Sequence, residues 1–550
     1  MLGRLYRKAA TPVIRSRRSA WTFLIVVGLA TLLSMSMFGF RAVPVKLLPF
    51  DNKSELQVVL DMPEGTSLET TERTLAGAAA VARTLPEVES MESYAGTATP
   101  FNFNGLVRHY FLRDRPEQGD LAVRLAHKEH RKRSSHAVAL DLRRRLADLP
   151  LPAGASLKVV EAPPGPPVLA TLLAEVYGPD AATRRAVAAE LETLFRAQSS
   201  VVDVDNSYGV RRPVLRLIPD REKIERFGLS EREVQDSIAA ALGGQVLGYA
   251  ASDDERTPVE IAVRLPQSAR AWTEQLAVMP VAVTTLDGGR RLVELGEVVE
   301  ARRELAGWPV YRRDGRAAEM VTAELAGQFE APIYGILAID AAIKAHDWKG
   351  LPRPEVRLNG QPTDETVPTV LWDGEWEITW VTFRDMGADF GVALLGIYVM
   401  VVAQFKDFRI PLVILTPIPL TLIGIVIGHM LFGAPFTATS MIGFIALAGI
   451  IVRNSILLVD FIRHARTPGR PLREVLLEAG AIRFKPILLT ALAAMIGAAV
   501  ILFDPIFQGL AISLLFGLIS STILTVLVIP AIYVALRDDG RPATVADEPA

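Results

Sequence analysis

The sequence contains no cysteine and only seven histidines among its 550 residues. The lack of thiols excludes a disulfide framework, a thiolate metal site and a cysteine nucleophile, although it does not exclude an oxidising compartment. The chain also lacks a strong net charge, because its 59 basic and 61 acidic residues give a formal charge of −2. No global field is therefore available to attract nucleic acid or an anionic substrate.

A phosphate-binding loop of the Gly-x-x-x-x-Gly-Lys-Ser/Thr type is absent from the sequence. We therefore expect no ATP hydrolysis by this chain. As separate expectations, we predict no catalytic residue and no bound cofactor. Any transport must then draw its energy from a gradient or from a partner.

Hydrophobic residues make up half of the chain and are concentrated in six long blocks. About twenty apolar residues suffice for a helix to cross the hydrocarbon core of a bilayer. The blocks are 21–40, 386–405, 410–432, 437–462, 486–503 and 509–536. The sequence thus predicts one membrane helix near the amino terminus and five near the carboxy terminus.

The distribution of basic residues predicts the topology. The leader, residues 1–20, contains six basic residues and no acidic one, so the positive-inside rule places the amino terminus in the cytoplasm. The connections at 406–409 and 463–485 are basic, whereas the short turns at 433–436 and 504–508 have no lysine or arginine. A signal peptide is the competing interpretation, but its apolar region would be shorter and would precede a cleavage site.

The polar stretch between the first two blocks, residues 42–385, predicts a folded α+β domain outside the membrane. A strand, a helix and a second strand are indicated between 56 and 94, and the same order recurs between 171 and 205. Such units are typical of the split β-α-β architecture, with helices on one face of a sheet. A helical pair follows at 221–242, with Asp220 as one cap and Ser230 and Glu233 as a capping box. The proline-rich segment 162–167 predicts a subdomain boundary.

Several segments resemble the resistance-nodulation-division (RND) family of efflux permeases. They are VKLLPFD at 45–51, DMPEGT at 61–66, the helical pair at 220–244, GIIVRNSILLVDF at 449–461 and RFKPILLT at 483–490. With one plus five membrane helices around a large outer domain, the chain is similar to the carboxy-terminal half of such a pump.

The resemblance implies an organisation of the whole chain. It consists of a basic cytoplasmic leader (1–20), a first membrane helix (21–41), porter subdomain 1 (42–165), porter subdomain 2 (166–214 and 304–360), a docking subdomain (215–303), a connector (361–385), five membrane helices (386–537) and a cytoplasmic tail (538–550). It also implies a homotrimer in the bacterial inner membrane, with a periplasmic adaptor and an outer-membrane channel as partners. The expected substrates are hydrophobic or amphiphilic compounds.

Arg453 lies near the middle of its apolar block, where a charge costs at least a few kcal/mol. In a structural role, its side chain extends to the membrane interface or forms a permanent ion pair. In a functional role, it pairs with a carboxylate that gains and loses a proton during transport, since arginine itself does not lose its proton. In the family, a basic residue at this position engages an acidic pair on another helix of the pump. This sequence has no such pair, and Asp460 lies about 10 Å further along the helix. We therefore expect a complementary amino-terminal half to supply the acids, unless the chain is a fragment.

The resemblance assigns Asn454, Arg483, Thr490 and Asp460 to the same proton relay as Arg453. Simpler roles exist for three of them. Asn454 could join two helices by a hydrogen bond, Arg483 could be a positive-inside anchor, and Thr490 could bond to its own helix backbone. The sequence alone is consistent with both the proton relay and these structural roles.

Two groups of side chains in the outer domain offer alternative substrates. Phe101, Phe103, Tyr110 and Phe111 could line a path for apolar compounds, although a sheet core would explain them too. Methionines can bind a soft metal such as Cu(I), which would suit a heavy-metal exporter, but single methionines on strands usually pack in cores. These are Met62, Met91, Met279 and Met320.

Three histidines, at 127, 130 and 136, stand among basic residues; they favour a solvated basic helix face over a metal or nucleic-acid site. Besides metal export, a sensor or scaffold with an outer ligand domain is an alternative from a different class, and a protein-export or lipid-transport relative is a third. The sensor alternative lacks a recognisable output module after the last apolar block.

Overall fold

The fold is that of a computed structural model which describes residues 2–162, 165, 167–251, 258–266, 269–270, 272–284, 289–327, 329–467 and 469–537. The chain divides into two compact units. Unit 1 comprises Met1–Tyr208 with Val310–Ala550, and unit 2 comprises Gly209–Pro309. The predicted tail 538–550 and three prolines of the segment 162–167 lie outside the described residues.

Unit 1 begins with two helices, α1 (Leu2–Ile14) and α2 (Arg17–Gly39). The leader, predicted only as a basic segment, is therefore helical. Its side chains Tyr6, Ala10 and Ile14 follow a four-residue spacing and are all buried, which gives α1 one apolar face.

The first subdomain follows α2. Its elements are β1 (Glu55–Asp61), α3 (Leu68–Ala82), β2 (Val88–Ala95), α4 (Phe103–Val107), β3 (Gln118–Leu125), α5 (Ser135–Leu146) and β4 (Ser156–Val160). The sheet has the order β2-β3-β1-β4 and is antiparallel throughout, with Val58 opposite both Leu121 and Val159. Because β3 lies between β1 and β2, the fold is a split β-α-β unit. The buried face of the sheet packs against Leu75 of α3 and Leu142 of α5.

A second subdomain starts with β5 (Leu172–Tyr177), α6 (Ala181–Arg196) and β6 (Val201–Asn206). The chain then passes through unit 2 before it completes this sheet.

The described residues of unit 2 form short helices and three two-stranded sheets, which pair β7 with β12, β8 with β9, and β10 with β11. Its elements are β7 (Pro213–Pro219), α7 (Arg221–Phe227), α8 (Glu231–Leu242), β8 (Gln245–Ala250), β9 (Val259–Val263), α9 (Glu274–Ala277), β10 (Pro280–Thr284), β11 (Arg290–Glu294), α10 (Leu295–Val298) and β12 (Val299–Leu305). The predicted helical pair is present: Asp220 caps α7, and Ser230 with Glu233 forms the capping box of α8.

The second subdomain resumes with β13 (Arg312–Arg313), β14 (Arg316–Ala317), β15 (Glu319–Leu325), α11 (Pro332–Ala345), β16 (Glu355–Arg357) and β17 (Thr369–Asp373). Its main sheet has the order β16-β17-β5-β15-β6. Strand β15 lies between β5 and β6 and is antiparallel to both, so the connectivity of the first subdomain recurs. Gly335 of α11 lets that helix approach the sheet, since an added Cβ would lie 2.9 Å from Leu172.

Five apolar segments complete unit 1. The helices are α12 (Glu375–Phe405), α13 (Ile410–Leu415), α14 (Pro417–Phe432), α15 (Ala438–Ala465), α16 (Leu472–Val500) and α17 (Gln508–Arg537). With α2, and with α13 and α14 counted as one, six helices in the described part of the chain are long and apolar enough to span a membrane. The six predicted spans are thus present as helices.

Three of the predicted helix starts were wrong. Helix α2 begins at Arg17 instead of residue 21, α12 at Glu375 instead of 386, and α16 at Leu472 instead of 486. Hydropathy marks only the apolar part of a helix, whereas these helices continue into polar sequence. In α16, Pro486 lies inside the helix and does not begin it.

Small residues let the membrane helices pack closely. A methyl group on Gly424 of α14 would overlap the carbonyl oxygen of Phe516 in α17. Gly480 of α16 likewise leaves room for the ring of Tyr6, whose hydroxyl donates to the carbonyl of Val526 at 3.1 Å. The buried face of α1 therefore packs against helices α16 and α17.

Candidate functional site

Arg453 lies at the centre of α15. It stands fifteen residues after Ala438 and twelve before Ala465, which corresponds to about 22 Å and 18 Å along the helix axis. Its side chain is exposed, whereas the next two residues, Asn454 and Ser455, are buried in the bundle. Arg453 makes no hydrogen bond or ion pair with any residue that the structure describes. The arginine therefore points away from the helices of its own chain.

Asp460 does not serve as a partner for Arg453. It lies near the end of α15, where its carboxylate is 3.4 Å from Nδ1 of His464. The same nitrogen lies 2.9 Å from the backbone carbonyl of Asp460. The nearest carboxylate in sequence is thus engaged locally.

The two predicted relay residues of α16 make different contacts. The guanidinium of Arg483 lies 5.2 Å from the ring centroid of Phe461 on α15, so it contributes to contact between the two helices. The hydroxyl of Thr490 donates to the carbonyls of Pro486 and Ile487, at 3.2 Å and 2.9 Å. Thr490 thus makes the backbone bond that the simpler interpretation expects. No contact among the described residues joins Arg453, Arg483 and Thr490, and their common relay stays a prediction.

An exposed apolar patch lies in the first subdomain, on the segment around α4. Phe101, Phe103 and Phe111 are 75%, 45% and 39% exposed, and Leu106 and Leu112 lie beside them in sequence with more than half of their surface free. The rings of Phe101 and Phe111 stack at 5.5 Å. The sheet-core interpretation of these phenylalanines was wrong, because their segment leaves the sheet between β2 and β3.

Tyr110, the fourth aromatic residue of that prediction, is only partly exposed. Burial raises its pKa. Its ring centroid lies 5.7 Å from the guanidinium carbon of Arg113. Tyr110 therefore lies beside Arg113, and the three phenylalanines form the exposed patch.

Arg113 fastens this segment to the sheet. It is buried, donates to Asp61 and to the carbonyl of Leu60 at 2.6 Å each, and lies 3.1 Å from Asp120. Burial raises the pKa of Asp120 to about 6, although Arg113 opposes this. Burial also acts to raise the pKa of Asp61, but Lys158 and Arg113 outweigh it and hold that pKa below its usual value.

An open cleft of about 450 Å³ adjoins the patch on the sheet face opposite α3 and α5. Its lining includes Gln57, Met91, Glu92, Asn102, Asn104 and Arg124. The cleft therefore combines polar groups with one thioether.

The four predicted methionines are spread over the outer domain, and one of them, Met320, lies on β15. Met62 is buried in the core of the first subdomain, Met91 packs against that core, and Met279 packs against the core of unit 2. Among the described residues, no three or more histidine, cysteine, aspartate or glutamate side chains are grouped for a metal ion. Core packing accounts for Met62 and Met279, whereas Met91 also lines the cleft.

A row of ion pairs joins the two subdomains; we call it the charged seam. Its cross-subdomain pairs are Arg108–Glu324 at 2.6 Å, Arg143–Asp203 at 2.8 Å, His136–Glu330 at 2.9 Å and Lys158–Asp205. The basic partner always comes from the first subdomain and the acidic partner from the second. The seam was not predicted from the sequence, because its partners are distant in the chain.

His136 occupies a central position in the seam. Its two ring nitrogens lie 2.7 Å from Glu161 and 2.9 Å from Glu330, and its ring stacks on Phe50 at 4.2 Å. Burial acts to lower the pKa of His136, but the two carboxylates outweigh it and raise the pKa to about 9. The predicted solvated basic helix face was therefore wrong for His136. His127 and His130 are exposed, but they precede α5 in a non-helical segment.

The chain matches the model of the AcrB/AcrD/AcrF family over residues 1–335 and 367–537. It belongs to this family. The family consists of RND permeases, which are transporters and not enzymes. With six long apolar helices among its described residues, the chain is a multi-pass membrane protein. The predicted RND resemblance is thus confirmed.

Relatives that are named for different functions are similar to this chain. It is 29% identical over 371 residues to the cobalt-zinc-cadmium resistance protein CzcA of Cupriavidus metallidurans, covering 65% of this chain and 32% of that protein. It is 26% identical over 368 residues to the swarming motility protein SwrC of Bacillus subtilis, covering 66% and 33%. It is 23% identical over 530 residues to the multidrug resistance protein MdtC of Serratia proteamaculans, covering 94% and 47%.

The fold is also similar to that of a solved heavy metal efflux pump, with a TM-score of 0.77 at 22% identity. The match covers 97% of this chain and 52% of that one. The chain therefore spans between a third and about half of the length of these relatives.

Proposed function

We propose that this chain is the carboxy-terminal half of a proton-driven RND efflux permease, which exports hydrophobic or amphiphilic compounds across the inner membrane. The observation that carries the proposal is the position of Arg453, which is central in a membrane helix, exposed, and without a partner among the described residues. An arginine facing lipid at mid-bilayer is costly, and such residues usually face another protein surface or a water-filled path.

The partner of Arg453 is an acidic group on a complementary amino-terminal half. Arginine keeps its proton, so the acid is the group that titrates. When the acid is ionised, the two charges attract across a low-dielectric contact; when it binds a proton, the attraction is lost and the helices can shift. The family resemblance alone supports four further members of this relay, which are Asn454, Arg483, Thr490 and Asp460.

Membership of the family supports the assembly that we propose. A homotrimer, a periplasmic adaptor and an outer-membrane channel complete the pump, with both termini of this chain in the cytoplasm and its large domain in the periplasm. The first and second subdomains act as porter subdomains, and residues 215–303 act as the docking subdomain.

The exposed apolar patch supports an amphiphilic substrate. Phe101 and Phe111 offer a stacked aromatic surface beside a polar cleft, and such a surface suits a compound with an apolar and a polar part. Heavy-metal export is the second candidate, because CzcA is a metal-resistance protein and Met91 lines the cleft with Glu92. Two variants distinguish these candidates. If the chain exports amphiphiles, replacing Phe101 and Phe111 by serine should lower export and Met91→Leu should not. If it exports metal ions, Met91→Leu should lower metal resistance and the serine variant should not.

The test of the coupling mechanism replaces the chromosomal copy by variants and follows efflux of a fluorescent amphiphile. Arg453→Ala should abolish export while membrane abundance stays near normal, and Arg453→Lys should retain part of it. Lys485→Ala removes an exposed cation from α16 and is the matched control, which should export normally. Wild-type efflux by Arg453→Ala would exclude this arginine from energy coupling.

A further inference from the structure

A cavity of about 410 Å³, which we call the interfacial groove, lies between the end of α2, the start of α11 and the first turns of α12. Five aromatic side chains and one arginine line it: Phe38, Arg41, Tyr334, Trp376, Trp380 and Phe383. Its size is within the range of sites for small ligands, and no acidic side chain is among its described lining residues.

The groove lies at the ends of two helices, α2 and α12, that are long and apolar enough to span a membrane. Helix α2 ends at Gly39, where the chain continues into the large outer domain, and Phe383 lies three residues before the apolar stretch of α12 that starts at Met386. Tryptophan and tyrosine favour the membrane interface, where such helices end. The rim is apolar and open, with Phe40 75%, Leu337 50% and Trp380 38% exposed. Hydrocarbon chains of the outer leaflet can therefore reach the groove from the side.

Arg41 occupies a backbone position that normally belongs to glycine. The amide of Arg41 donates to the carbonyl of Phe38 at 3.2 Å, and that of Ala42 donates to Met37 at 3.0 Å, which is the Schellman pattern at the end of α2. Arg41 has a φ of 60°, in the left-handed region where a side chain is strained. A strained residue that is not glycine is a reason to look for a function of its side chain.

The guanidinium of Arg41 projects over aromatic rings and has no acidic partner. It lies 5.6 Å from the ring centroid of Phe329 and 5.3 Å from that of Tyr334, and it makes no ion pair with any residue in the described part of the chain. The other cation of the groove, Lys46, is compensated, since it lies 3.9 Å from Glu330 and over the ring of Phe50. Arg41 is thus a fixed positive charge at the mouth of an apolar groove.

We propose that the interfacial groove binds one anionic phospholipid of the outer leaflet, with its phosphate on Arg41 and an acyl chain against Trp380 and Phe383. A guanidinium matches the geometry of a phosphate, and the aromatic walls match a hydrocarbon chain. This ligand is distinct from the exported compound, and the inference does not depend on proton coupling.

The test uses the full chain in nanodiscs of phosphatidylcholine, into which phosphatidylglycerol with brominated acyl chains is titrated. Bromine quenches tryptophan, so Trp380 reports occupancy of the groove, and the Trp380→Phe variant identifies its share of the signal. The wild type should reach half-maximal quenching of Trp380 at about a tenfold lower fraction of phosphatidylglycerol than Arg41→Gly, as expected for one lost charged hydrogen bond.

Arg41→Gly is well suited to this test because glycine fits the left-handed position and should leave thermal stability unchanged or higher. Arg41→Lys should keep most of the preference, and Arg384→Ala, which removes an exposed cation paired with Asp385, should keep all of it. Brominated phosphatidylcholine should quench the wild type and Arg41→Gly equally, and free glycerol phosphate should not compete.

Three results would overturn the proposal. The first is equal quenching of the wild type and Arg41→Gly by phosphatidylglycerol. The second is displacement by glycerol phosphate, which would indicate a site for a free anion. The third is loss of the preference when the amino-terminal half is assembled with the chain, which would show that protein covers the groove. Should Arg41→Gly not fold, Arg41→Gln supplies the same comparison.

Discussion

Neutralising His136 should weaken the folded chain in acid and have little effect in alkali. The pKa of His136 is raised from its ordinary value of 6.5 to about 9, because two carboxylates favour the charged ring more than burial opposes it. A group whose pKa rises on folding stabilises the fold fully below its unfolded pKa, and this contribution disappears as the pH passes its folded pKa. The window for His136 is therefore about pH 6.5 to 9.

The magnitude follows from the same values. One pKa unit corresponds to 1.36 kcal/mol, so the difference between 6.5 and about 9 amounts to about 3 kcal/mol of unfolding free energy. Only 21% of the side chain is exposed, so solvent screening is limited. His136→Gln retains hydrogen-bond donors but never carries a charge, and it should therefore lose this stabilisation.

The assay compares unfolding of wild type and His136→Gln in detergent micelles at about pH 6 and about pH 9.5. The two proteins should differ by about 3 kcal/mol at the lower pH and by almost nothing at the higher pH. His130→Gln removes an exposed histidine nearby in sequence and should unfold like the wild type at both. An equal deficit of His136→Gln at both values of pH would mean that packing, and not charge, explains it, and the reasoning would fail.

Two further substitutions test packing and burial. Gly424→Ala should shorten the half-life of the chain in detergent at elevated temperature, because overpacking against Phe516 costs about 1–3 kcal/mol, whereas Gly396→Ala, with open space around it, should not. Arg113→Met should lower the unfolding free energy by about 3–5 kcal/mol near neutral pH, since it leaves Asp120 buried without its cation, and by less in acid, where Asp120 takes up a proton. A deficit that is the same at both pH values would contradict this account.

The membrane helices were predictable because hydropathy depends only on neighbouring residues in the sequence. Six apolar blocks gave six helices, and Arg453 was found because a charge inside such a block is visible in the sequence alone. The helix starts at Glu375 and Leu472 were missed for the converse reason: their first turns are polar, and hydropathy does not register them.

In the outer domain, the strand order and the ion pairs could not be predicted from neighbouring residues. The strand-helix-strand order was visible in the sequence, but the pairing that inserts β3 between β1 and β2 depends on distant contacts. The charged seam is the clearest example, because Arg108 and Glu324 are separated by 216 residues and Arg143 and Asp203 by 60. The phenylalanines around α4 were identified, but only the fold distinguishes an exposed ring from a core ring.

The charged seam determines what happens if the two subdomains separate. Each subdomain buries its own apolar residues, such as Leu75 in the first and Phe195 in the second, so separating them exposes the ion pairs while these core residues stay buried. Water solvates such ions well, and dissolved salt weakens their mutual attraction. Opening an apolar interface of the same area would instead cost about 25 cal/mol of free energy for every Å² of apolar surface exposed to water. An interface built in this way can open in water and close again many times without exposing a large apolar surface.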